Sequence, residues 1–108
     1  MRSPMILPDL VIANGGTTSS AISAERLRYL DSINIWGPAA LTGTVTVEVS
    51  YDGTNYGTLQ SAGSDVAVAA TKVVTVLTGG FYGLRVKSDG AEGAARTFQV
   101  RGTEKLGL

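Results

Sequence analysis

Side chains able to do chemistry gather most densely in Ser50–Tyr56, the stretch SYDGTNY. Tyr51 and Tyr56 offer aromatic faces, while Asp52 and Asn55 offer a carboxylate and an amide that can hydrogen-bond hydroxyl groups. Together Tyr51, Asp52, Asn55 and Tyr56 have the chemistry of a glycan contact. Calcium fits less well, because one carboxylate and one amide fall short of the roughly six to eight oxygens that ion takes. The same stretch also makes a tight hairpin without any ligand, with Asp52-Gly53 as the turn and Tyr56 covering it.

Catalytic chemistry has little to work with. The chain contains no histidine and no cysteine, which removes the commonest general base at neutral pH, the thiolate nucleophile, disulfides and cysteine-based zinc sites. A serine nucleophile would depend on Lys72, Lys87 or Lys105, and no motif sets one beside a serine. Asp52, Asp65 and Asp89 each lie beside Gly or Ser in turn-like sequence, where aspartate commonly bonds backbone N–H groups. Asn14-Gly15-Gly16 and Thr78-Gly79-Gly80 are turns and not phosphate cradles, since neither clearly opens a helix after a buried strand. No enzymatic activity, cofactor or metal is expected.

Charge narrows the partners further. Nine basic and nine acidic residues cancel and are scattered along the chain, so there is no nucleic-acid footprint. Arg85, Lys87, Arg96 and Arg101 would form a basic stripe if the last two strands pair, most simply a solvated or intersubunit face. No apolar run approaches the roughly 18 residues of a membrane span, and MRSPMILPDL is neither signal peptide nor anchor. The expectation is a protein made and used on the cytoplasmic side, with no membrane partner.

The elements that must position these residues read as strands. Thr44–Tyr51 alternates, with Val45, Val47, Val49 and Tyr51 on one side and Thr44, Thr46, Glu48 and Ser50 on the other. Asp9–Ala13, Tyr29–Trp36, Asn55–Gln60, Asp65–Ala69, Thr71–Leu77, Phe81–Lys87 and Arg96–Arg101 follow the same style. In Tyr29–Trp36 the residues Ile33 and Ile35 point inward, and Leu30 falls on the other side. Ser19–Leu30 permits either an edge strand or a short helix capped by Ser23. Trp36-Gly37-Pro38 makes a corner in which Gly37 supplies an unusual backbone angle, and Ser88–Ala95 reads as a flexible loop or hairpin tip.

These 108 residues make one domain with one core. Residues 1–8 are an extension in which Pro4 and Pro8 preclude an inner strand, 9–102 the domain and 103–108 a tail. The fold expected is an all-β, two-sheet antiparallel sandwich, jelly-roll or Ig-like, of seven or eight short strands, with a closed barrel as its rival. Function then falls to contact surfaces. Met1, Arg2, Met5, Ile6 and Leu7 of the extension are candidates to pack on a neighbouring subunit, as are Trp36, Pro38 and Leu41 at the corner and the loop Ser88–Ala95. Trp36 is the first candidate for a hot spot, and a Trp capping the core is the competing reading.

The order IANGGTTSSAI, INIWGPAALTGTVTVEVSYDGTNYGTLQ, GFYGLRVKSDGAEGAARTFQVRG resembles small β-sandwich virion proteins of tailed bacteriophages. The likeness spans Val11–Gly102 and lies in the succession of an ANGGTTS turn, a PAALT corner, an SYDGTNY hairpin and a GLRVKS strand. Tyr56 stands where the family usually has an aromatic after the DG turn. The resemblance implies a virion component synthesised in the host cytoplasm, foremost a capsid decoration or cement protein. Such a protein forms oligomers, frequently homotrimers, and clamps the major capsid protein. A neck, tail or fibre position is the alternative it leaves, and a carbohydrate-binding adhesion module is the alternative from the residues.

Overall fold

The computed structural model describes residues 4–105. Along the chain run β1 (Met5–Ile6), β2 (Leu10–Ile12), β3 (Ile22–Ser23), α1 (Ala24–Leu27), β4 (Leu30–Trp36), β5 (Val45–Ser50) and β6 (Tyr56–Thr58). They are followed by β7 (Gln60–Ser61), β8 (Ser64–Asp65), β9 (Val73–Leu77), β10 (Gly83–Ser88) and β11 (Arg96–Glu104). The described residues thus form more and shorter strands than the pattern predicts, because turns cut several runs into two- or three-residue pieces.

All pairings are antiparallel. The first sheet has the order β1-β11-β4-β9 with β2 also on β11, the second has the order β3-β10-β5-β6, and β7-β8 form a small hairpin. The fold is all-β, and the two larger sheets enclose one core as in a sandwich. Alternation explains which side chains fill it. Ile33 and Ile35 of β4, Phe98 and Val100 of β11, Val45 and Val47 of β5, and Leu84 and Val86 of β10 are all buried in one apolar cluster. Burying a side chain of this kind stabilises the fold by about 1.5–3 kcal/mol.

Several expectations need correction. Residues 1–8 read as an extension, but within it Met5 and Ile6 pair with Gly102 and Arg101 of β11, and the Leu7 N–H bonds the Val100 carbonyl at 3.2 Å. β1 and β2 therefore lie end to end along one edge of β11, interrupted at Pro8. The prolines exclude an inner strand and still permit an edge one. Leu7 is a core residue at 4% exposure, so in this form its side chain fills the core. Met1 and Arg2 lie outside the described residues. At the other end, Thr103 and Glu104 continue β11 and do not begin a tail.

Leu30 is buried beside Ile33 and Ile35, against simple alternation. The ladder between β4 and β11 slips between Thr103 and Glu104, pairing Thr103 with Ser32 and Glu104 with Leu30. This bulge at Asp31 reverses the phase and turns Leu30 inward. Ser19–Leu30 contains both alternatives in succession, β3 and then α1, and Ser23 sits at the N-cap without a side-chain cap bond. At Gly37 the reason for glycine is close approach and not backbone angle. An added Cβ would collide with the Ala69 carbonyl, and the Gly37 N–H bonds the Lys72 carbonyl at 2.8 Å.

The last two long strands do not pair. β10 belongs to the second sheet and β11 to the first, so Arg85, Lys87, Arg96 and Arg101 form no common stripe. Their connection, Ser88–Ala95, crosses between sheets and is tied at its centre by a buried Glu92, which makes it neither a hairpin tip nor a free loop.

Candidate functional site

The hairpin that joins β5 to β6 keeps its polar groups for itself. Asp52 Oδ1 accepts the N–H groups of Thr54 (2.8 Å) and Asn55 (2.7 Å), and Asp52 Oδ2 accepts Asn55 Nδ2 at 2.6 Å. Ser50 Oγ donates to Asp52 Oδ1 at 3.0 Å and accepts the Gly53 N–H at 2.8 Å. Gly53 takes a φ of +84°, which glycine adopts without a Cβ penalty. The backbone N–H of Asn55, then that of Thr54 and the Asn55 amide, hold the Asp52 carboxyl well below its usual range. Both polar members proposed for a glycan contact are thus engaged within the turn.

The two tyrosines separate. Tyr51 is 75% exposed. Tyr56 instead lies half-buried on the outer face of the second sheet, where its ring crosses Gly83, so that a Cβ there would strike its phenol. The Arg85 guanidinium stacks on the same ring at 3.9 Å and bonds Glu48 Oε1 at 2.8 Å. This cover buries Glu48 and Ser50, two residues that strand alternation assigns to an exposed polar side. A concavity of about 450 Å³ opens beside Tyr51, Tyr56 and Phe81.

A second polar centre was not singled out in the sequence. Glu92 is 1% exposed and receives four donors. They are the N–H groups of Thr42 (2.8 Å) and Gly43 (2.9 Å), Ser88 Oγ (2.7 Å) and Arg96 Nε (2.8 Å). Burial opposes its ionisation, but the Thr42, Ser88, Gly43 and Arg96 donors outweigh burial and lower its pKa from 4.5 to about 2. The centre locks the β4–β5 connection, the β10–β11 connection and β11 together. All its hydrogen-bonding capacity faces inward, so it is structural. The available signal was Glu92 four residues before Arg96 within SDGAEGAAR.

The outer face of the first sheet is also open to a partner. Cross-strand neighbours share a face, and the register gives the rows Gln99–Trp36–Val73, Ile6–Arg101–Asn34–Thr75 and Thr103–Ser32–Leu77, with Val11 beside Thr97. Ile6 (76%), Val11 (40%), Trp36 (41%), Val73 (52%) and Leu77 (75%) are exposed there. Five exposed apolar side chains on one face, among neutral amides and hydroxyls with Arg101 as the cation in these rows, form a surface suited to protein contact. Of the contact residues expected from sequence, Ile6 and Trp36 share this face, on strands separated by β11. Met5 falls on the opposite side, in the row Met5–Gly102–Ile33–Val76 near α1, Pro38 is half-buried at the corner, and Leu41 packs against the core. Val11, Val73 and Leu77 were missed because a period-two pattern names the buried side and leaves the outer side unread.

Among the described residues no three acidic side chains stand together as a metal site, and no helix is long and apolar enough to cross a membrane. No protein-family model matches the chain, and no curated protein or solved structure matches it with significance.

Proposed function

We propose that this protein is a structural component that works by protein–protein contact, in particular a decoration or cement protein of a tailed-phage virion. The observation that carries contact as the mode of action is the outer face of the first sheet, where Ile6, Val11, Trp36, Val73 and Leu77 are exposed together. Asp52, Asn55 and Glu92, polar groups with the chemistry to serve a ligand, are engaged internally. Assignment to a virion rests on the motif order in Val11–Gly102. Repetition by particle symmetry would let individually weak copies of this face act together through effective concentration.

The test is addition of the purified chain to phage heads that lack it, followed by imaging. Ordered density at symmetry-related positions, reduced by Trp36→Ala in a variant that still folds, is the expected result. Heads that bind no chain at saturating concentration would overturn the assignment. A second reading, glycan adhesion, draws on exposed Tyr51 and the concavity beside it. It requires glycan binding that Tyr51→Ala abolishes.

A further inference from the structure

The edges of the two sheets are not equally protected. Along β11 the edge formed by β1 and β2 is broken at Pro8. In the second sheet β3 has two residues and runs directly into α1, while β6 has three and includes Gly57. β9 differs from all of these. Its sequence VVTVL has no charge, proline or glycine, and its ladder with β4 keeps one register throughout. Natural edge strands normally carry such interruptions because unpaired N–H and C=O groups invite another strand.

The direction of those groups follows from the bonds at either end. The Thr78 N–H reaches the Asp31 carbonyl at 3.2 Å, and the Lys72 carbonyl accepts the Gly37 N–H at 2.8 Å. Main-chain groups alternate along a strand, so Val74 and Val76 face β4, while Val73, Thr75 and Leu77 face outward. Among the described residues, β4 is the sole ladder partner of β9, and no loop backbone bond involves Val73–Leu77.

We propose that β9 pairs antiparallel with β9 of a second copy about a two-fold axis at Thr75, joining the two first sheets into one. The strand is complementary to itself in this register. Val73 lies opposite Leu77 of the second copy, Thr75 opposite Thr75, and the outward groups form about six main-chain hydrogen bonds. With no charged side chain on β9, the seam brings no like-charge repulsion, and nothing on this edge selects a partner of different chemistry. The pairing also sets Leu77, 75% exposed alone, beside Val73 and Trp36 of the other copy. It is isologous and closes as a dimer, in place of the trimer that the phage resemblance implies. Nothing in this pairing depends on a virion role.

Sedimentation velocity on the purified chain tests this, with Thr75→Lys, Thr75→Glu and their mixture alongside. The native chain is expected to be a dimer. Each charged variant alone should dimerise at least about tenfold more weakly, since it sets like charges directly opposite, and the mixture should recover dimers. Thr75→Cys supplies a second measurement that needs no charge in the sheet. Paired Cα atoms about 5.5 Å apart lie within disulfide range, and the chain has no other thiol. Mild oxidation should cross-link Thr75→Cys far faster than a Val11→Cys control. A native monomer or trimer, a dimer indifferent to Thr75→Lys, or equal cross-linking of the two cysteine variants would each overturn the proposal.

Discussion

Replacing Glu92 by glutamine removes one charge at the point where two connections and β11 meet. The carboxylate is buried and receives four donors, two at each oxygen. A glutamine amide keeps one accepting oxygen and turns its NH₂ toward groups that themselves donate. The magnitude follows from the ionisation. A carboxyl lowered from 4.5 to about 2 on folding favours the folded chain by roughly 3 kcal/mol when ionised. Glu92→Gln should therefore lose about 3 kcal/mol at pH 7, a large part of the roughly 5–15 kcal/mol typical of a domain. The folded-state pKa is the depressed one, so this contribution is complete above about pH 4.5 and is lost as pH falls toward 2. Urea unfolding followed by the fluorescence of Trp36, the chain's one tryptophan, measures both effects. The native protein should weaken across that window, and the variant should show a correspondingly smaller change. A variant within about 0.5 kcal/mol of native at pH 7, the usual range of an unimportant surface change, would refute the reasoning. So would an undiminished pH slope.

Other substitutions probe the remaining parts. Phe98→Ala empties a fully buried position and should cost about 3–5 kcal/mol in urea unfolding. Gly37→Ala drives a Cβ into the Ala69 carbonyl, where backbone must move, and should cost about 2 kcal/mol or more by the same measurement. Gly83→Ala displaces the Tyr56 ring and should cost about 1–2 kcal/mol, with Tyr56 becoming more accessible to chemical modification. Asp52→Ala removes the acceptor of the Thr54 and Asn55 N–H groups, so those two amides should lose hydrogen-exchange protection while the amides of β11 keep theirs.

The strongest strands were legible because alternation and burial coincide in them. Val45 and Val47, Leu84 and Val86, and Phe98 and Val100 are inward in the fold as in the pattern. Two kinds of information were not local. Leu30 changes side because of a bulge set by its pairing with β11, and nothing in YLDSINIW marks the extra residue. The placement of β10 and β11 in different sheets is likewise a property of topology, and it dissolves the basic stripe.

The candidate surface was half legible for a related reason. Trp36 drew notice through its type and its Gly-Pro corner. Val73 and Leu77 look like ordinary strand residues until the register sets Val73 opposite Trp36 and Leu77 opposite Ser32 on the same face. Glu92 was hidden in a run of Gly and Ala whose composition suggests a loose loop, whereas its burial depends on donors about 50 residues away in sequence, at Thr42 and Gly43. The polar residues of SYDGTNY were conspicuous, and the fold uses them to close their own turn.

Under the proposed function this protein acts through the outer face of its first sheet, and an image of the chain bound to a particle, detailed enough to place its sheets, is the decisive measurement. Density of a neighbour against Trp36, Val73 and Leu77 is the predicted result. A chain that leaves this face in solvent and meets its neighbours through Tyr51 and the hairpin tip would contradict it.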